Sequence, residues 1–116
     1  MKIRIKGNSI RYRMSKTDVE QFLKLGYWEE AVDFGVQKLV YAIKKHNEQE
    51  LKAGFYQNTI TLYMPEHMAI AWEAPESVGF SGYHDKLSLI IEKDFQCLDN
   101  TQEDQSDNYP NPASAC

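Results

Sequence analysis

Residues 2–14 read KIRIKGNSIRYRM, and the parsing of that stretch decides the rest of the chain. Lys2, Arg4 and Lys6 alternate with Ile3 and Ile5; after Gly7-Asn8 the alternation resumes, with Ile10, Tyr12 and Met14 set against Ser9, Arg11 and Arg13. A period of two is the signature of a strand with one buried face. Two such runs about a Gly-Asn pair make a hairpin, because glycine supplies the positive φ that a tight two-residue turn requires. The same period gathers Lys2, Arg4, Lys6, Arg11 and Arg13 on a single face, opposite the isoleucines.

Working outward, Thr17 and Glu20 have the spacing of a capping box, Val19, Phe22 and Leu23 repeat at helical spacing, and Gly26 is a helix stop. The spacing predicts a helix over 17–25, then strands over 28–34 and 37–44. In the second of these Leu39, Tyr41 and Ile43 face one side and Lys38, Val40 and Ala42 the other. The order is strand, strand, helix, strand, strand.

That order is written twice. Asn8-Ser9-Ile10 with Met14 matches Asn58-Thr59-Ile60 with Met64 at an offset of 50. Val32-Asp33-Phe34 resembles Val78-Gly79-Phe80, and Lys38-Leu39 with Ile43 resembles Lys86-Leu87 with Ile91. Between the matched strands Pro65 suits the first turn of a second helix with Met68, Ala71 and Trp72 on one stripe, and Pro75 ends it. A unit of about 45 residues buries too little surface to stand alone. The expectation is therefore an α+β fold. Two tandem ββαββ units, 1–46 and 47–98, arise by internal duplication and share one core, with about eight mainly antiparallel strands and two short helices. The two units form a single domain over 1–98, followed by an acidic extension over 99–116.

Composition fits that reading. At 116 residues the chain is long enough to bury about two thirds of its unfolded surface. With 42% hydrophobic and 26% charged residues, 6 Gly and 4 Pro, it is neither collagen-like nor wholly disordered. No apolar run approaches the ~20 residues of a membrane span, and the charged N-terminal strand lacks the apolar stretch of a secretory signal, so a cytoplasmic protein is expected. Two cysteines, Cys97 and Cys116, make no disulfide framework and exclude an all-cysteine zinc site. Phosphate-cradling glycine loops, GxSxG, HExxH and Cys-x-x-Cys are all absent from the sequence.

Charge is strongly polarised along the chain. The first sixteen residues hold six bases and no acid, whereas 94–116 hold five acids and no Lys or Arg. Such ends are complementary and can pair. The basic face of the first hairpin is the sharpest candidate site: Lys2, Arg4, Lys6, Arg11 and Arg13 can hold a small anionic ligand, an acidic partner protein or the chain's own tail. Lys and Arg along an edge hairpin also guard against aggregation, which is the plainer explanation. In the second unit the corresponding face carries Lys52, Tyr56, Thr59, Thr61 and Tyr63.

A second candidate lies near the C-terminus. Asp99, Glu103, Asp104 and Asp107 are dense enough for a hard divalent cation, although neither the glycine nor the acid spacing of an EF-hand is present. Cys97 continues the inward alternation of the last strand; as a reactive thiol it would need a base from His46, His67 or His84. His84-Asp85 falls in a turn. Three function classes follow: a non-enzymatic binding module on the basic face, a metal-dependent or cysteine enzyme on the Cys97 and acidic cluster, and a structural homodimer subunit burying outward Val40, Ala42 or Ile90. No cofactor is implied. A pI of about 5.3 and the lack of an RNA-recognition signature argue against nucleic acid.

The opening KIRIKGNSIRYRMSKTDVEQF and the closing EKDFQCLDNTQEDQSDNYPNP resemble the two ends of a family of small bacterial proteins of unknown function. The resemblance spans nearly the whole chain and implies no activity and no site residue. It implies that both ends belong to the domain, whereas the composition of the last residues is that of a mobile extension; if the extension is ordered, its acids lie against the basic hairpin.

Overall fold

The first hairpin forms as its alternation requires: β1 (Lys2–Lys6) pairs antiparallel with β2 (Ser9–Met14) in the register Lys2↔Arg13 and Arg4↔Arg11, about Gly7 at φ 54°. The computed structural model describes residues 1–95 together with 106, 107, 109 and 110. The remaining elements are α1 (Lys16–Leu25), β3 (Tyr27–Asp33), β4 (Lys38–His46), β5 (Lys52–Tyr56), β6 (Thr59–Pro65), α2 (Glu66–Ala71), β7 (Gly79–His84) and β8 (Leu87–Lys93). Cys97 and most of the acidic extension lie outside the described residues, and Ser106, Asp107, Tyr109 and Pro110 are exposed. No helix among the described residues is long and apolar enough to cross a membrane.

The capping box of α1 sits two residues earlier than Thr17 and Glu20 would place it. Ser15 is the N-cap: its hydroxyl accepts the Asp18 N–H, and the Asp18 carboxylate accepts the Ser15 N–H. β2 ends at Met14, so Ser15 is the first residue that can turn the chain into the helix. Gly26 closes the helix at φ 75°, its N–H bonded to the Phe22 carbonyl. In α2, Pro65 ends β6 and caps the helix from outside its first turn, and the buried stripe is Ala69 with Trp72, while Ala71 is exposed.

The eight strands divide into two sheets of four, in the orders β1-β2-β8-β7 and β3-β4-β6-β5. Each sheet takes one hairpin from each unit, and the hairpins join through a central parallel pair, β2 with β8 and β4 with β6. The two pairings share one register. Ser9↔Ser88 through Met14↔Lys93 becomes Thr59↔Val40 through Met64↔Lys45 when β2 is shifted by 50 and β8 by −48. The hydrogen bonds Ser88 N–H to Asn8 O (3.0 Å) and Val40 N–H to Asn58 O (2.9 Å) are counterparts.

One sequence match fails. Tyr27↔Lys44 and Gly79↔Glu92 make Gly79 the counterpart of Tyr27, not of Asp33. The chain takes two extra residues between α2 and β7 and returns through a shorter turn at Asp85-Lys86, so no single offset spans the second hairpins.

Both sheets and both helical regions feed one core. Tyr12, Met14, Leu89 and Ile91 come from the first sheet, Ile43, Leu62 and Met64 from the second, and Val19, Phe22, Ala69 and Trp72 from in and around the helices. At the offset of 50, Val19 corresponds to Ala69 and Phe22 to Trp72. The two aromatic counterparts meet edge to face, with centroids 6.4 Å apart.

The seams between the sheets are also counterparts with different chemistry. On one side the Met1 ammonium lies 2.7 Å from Asp18 and 2.6 Å from Glu30, and Trp28 Nε1–H donates to Asp18 at 2.8 Å. On the other side Leu51, Met68, Phe80 and Gly82 fill the corresponding positions with apolar groups, the Leu51 side chain lying against Gly82. His84 Nδ1 sits 3.1 Å from the Ala53 nitrogen and 3.0 Å from its oxygen, fastening β7 to the open edge of β5. Ala42, expected to face outward for a partner, is fully buried: its short methyl lies in a row between the longer Glu29 and Thr61.

Candidate functional site

Residues paired across strands share a face, so the registers give the outer face of the first sheet in rows. One row is Lys2, Arg13, Glu92 and Gly79; the next is Arg4, Arg11, Ile90 and Ser81; the last is Lys6, Ser9, Ser88 and Tyr83. The structure brings all five predicted cations together on this face. It also adds two acids that the hairpin alone does not reveal.

Glu92 is the first. It is 7% exposed although it points away from the core. Arg13 donates Nε–H to Glu92 Oε1 at 3.0 Å, and Arg11 Nε approaches the same oxygen at 3.8 Å. Gly79 makes room for this group: a Cβ there would lie 2.9 Å from the Glu92 Cβ and 2.1 Å from the Ile91 oxygen. A carboxylate so enclosed is tolerable only with its charge partners in place. It therefore holds two guanidinium groups by their Nε edges. Asp94 is the second acid, 2.7 Å from Lys2 Nζ. Among the described residues, five cations and two acids share the face.

Lys2, Ile3, Arg4, Arg11 and Arg13 line a depression of about 220 Å³, and a smaller one of about 40 Å³ adjoins it beside Arg4, Lys6 and Arg11. Four of the five residues around the larger hollow are cations. Arginine forks match planar oxyanions, and hydrogen bonds between two ionised groups are about twice as strong as neutral ones. The hollow can therefore hold a phosphate-, sulfate- or carboxylate-bearing group.

Residues 1–113 match the model of a family of unknown function, DUF7009. The chain belongs to that family. No curated protein and no solved structure matches it. The DUF7009 match takes in both units, the cationic face and the acids Glu92 and Asp94.

The other predicted residues are placed as follows. On the second sheet Lys52, Tyr56, Thr59, Thr61 and Tyr63 share the outer face; Lys52 pairs with Glu48 at 2.7 Å, and Tyr63 lies against His46. Of the proposed metal ligands, Asp99, Glu103 and Asp104 lie outside the described residues, as does Cys97, and Asp107 is exposed. Among the described residues no group of three His, Cys, Asp or Glu could hold a metal. His46 and His84 are engaged by backbone atoms of Glu50 and Ala53, and His67 is exposed. Asp85, at φ 55° in its turn, is 95% exposed and 4.0 Å from His84, too open and distant to orient an imidazole. Glu92 was missed although Leu87, Leu89 and Ile91 face inward and alternation puts Glu92 outward; what sequence lacks is the parallel pairing that sets it beside Arg13.

Proposed function

We propose that this DUF7009 chain is a cytoplasmic binding module of two units that arose by internal duplication, and that the cationic face of its first sheet engages an anionic group. The observation that carries the reading is the Glu92 clamp. Arg13 commits its Nε–H to Glu92, and its terminal nitrogens supply the two parallel donors of a bidentate contact. Preorganising that side chain lowers the ordering cost of binding. Asp94, at the root of the acidic segment, already neutralises Lys2 and acts as an internal competitor for the same face.

The test is a thermal-shift titration with pyrophosphate on the native chain and on Lys2→Glu/Arg4→Glu, which reverses two cations of the outer edge strand and leaves the Glu92 clamp intact. A ligand that binds the native state raises Tm, by about 2.7 kcal/mol of stabilisation at a hundred times Kd. The expected result is a salt-sensitive rise in the native chain that the variant loses. Equal rises in both proteins, or none in the native chain, would leave the cations as a solubility device.

A further inference from the structure

A second cavity lies at the helical end of the core, away from the sheet face. It is a cleft of about 750 Å³ between α1, the segment after α2 and the end of β8, walled by Met14, Val19, Leu23, Trp72, Pro75 and Phe95. Clefts of roughly 300–1,000 Å³ with mostly apolar walls and a few convergent polar groups are the usual form of small-molecule sites.

The polar groups decide what would bind. Glu20 and Glu73 line the cleft but are exposed, so water screens them, as it does Lys16. Asp94 is half-buried and already paired with Lys2. Lys93 differs from all of these. It is half-buried, its ammonium donates to the Ala74 carbonyl at 3.1 Å, and no carboxylate among the described residues pairs with it. A partly desolvated cation with one neutral acceptor gains most from an added anion.

We propose that this cleft binds an alkyl carboxylate of medium length, its chain against Leu23, Pro75 and Phe95 and its carboxylate on the Lys93 ammonium. The site opens away from the sheet face and shares only Asp94 with it. Trp72, buried directly behind that apolar wall, supplies the readout, because a bromine atom brought close to an indole quenches its fluorescence. The experiment titrates the full chain with 11-bromoundecanoate and with its uncharged methyl ester.

The expected result is saturable quenching by the acid, with roughly tenfold weaker quenching by the ester, in line with the loss of one charge-assisted contact. Lys93→Met reproduces the tenfold loss and Lys93→Arg restores binding. No saturable quenching, equal quenching by acid and ester, or unchanged binding in Lys93→Met would each overturn the assignment. The acid-against-ester comparison needs no substitution, so it decides the matter even where a variant fails to fold. Quenching persists in Arg4→Glu/Lys6→Glu, which leaves the Lys2–Asp94 pair in place; its loss there would put the anion on the sheet face and also overturn the cleft.

Discussion

Asp18 is the residue on which the first unit's polar seam converges. Burial alone would raise its pKa, but the Met1 ammonium, the Ser15 N–H and hydroxyl contacts and the Trp28 indole outweigh that and hold it at about 2, below its ordinary 3.8. The ammonium is shifted the other way: burial would lower it, but Asp18 and Glu30 raise it above its ordinary 8.0. A depressed carboxylate contributes stability that is present above its unfolded pKa and lost as pH falls. A raised ammonium contributes stability that is present below its unfolded pKa and lost as pH rises. The pair is therefore fully effective between about pH 4 and pH 8. Asp18→Asn should cost about 2 kcal/mol at pH 7, since it leaves a partly buried cation short of a partner. Chemical denaturation at pH 7 and at pH 2.5 checks this: the gap between variant and native chain narrows at the lower pH, and a constant gap would show that charge is not the cause. None of these partners was legible beforehand. Ser15-x-x-Asp18 and Thr17-x-x-Glu20 fit the same capping pattern, and only the end of β2 chooses between them.

Among the elements, the helices join the two units through Phe22 and Trp72. Each is fully buried, so Phe22→Ala or Trp72→Ala should cost about 3–5 kcal/mol. Because the rings touch, the double substitution should cost less than the sum of the two, and urea denaturation of the four proteins measures the difference. Strict additivity would mean that the two aromatics stabilise separate units. The hairpins themselves were readable because a two-residue period and a glycine turn are local signals. Their partners were not. Ser9 and Ser88 pair across 79 positions, and nothing short-range specifies that each first hairpin joins the other unit's second hairpin. The match of Val32-Asp33-Phe34 to Val78-Gly79-Phe80 shows the same weakness: it scored similarity without the change in loop length that moves the register.

At the scale of the whole molecule, exchanging hairpins between the units gives two equivalent sheets over one core, and the outer faces are left to diverge. The first carries Lys2, Arg4, Lys6, Arg11 and Arg13, while the second carries Thr59, Thr61 and Tyr63 with Lys38, Lys44 and Lys52 set against Glu29 and Asp33. Under the proposed reading, the strongly cationic face carries function and the shared core carries stability. The cationic face was visible in thirteen residues; the Glu92 clamp that gives it shape needed the fold. The measurement that tests this account most directly is a two-dimensional amide NMR titration of the full chain with pyrophosphate. Anion binding on the cationic face predicts salt-dependent shifts confined to residues 2–6, 11–13 and 90–94. Shifts centred on the second sheet, or no saturable shifts at all, would contradict it.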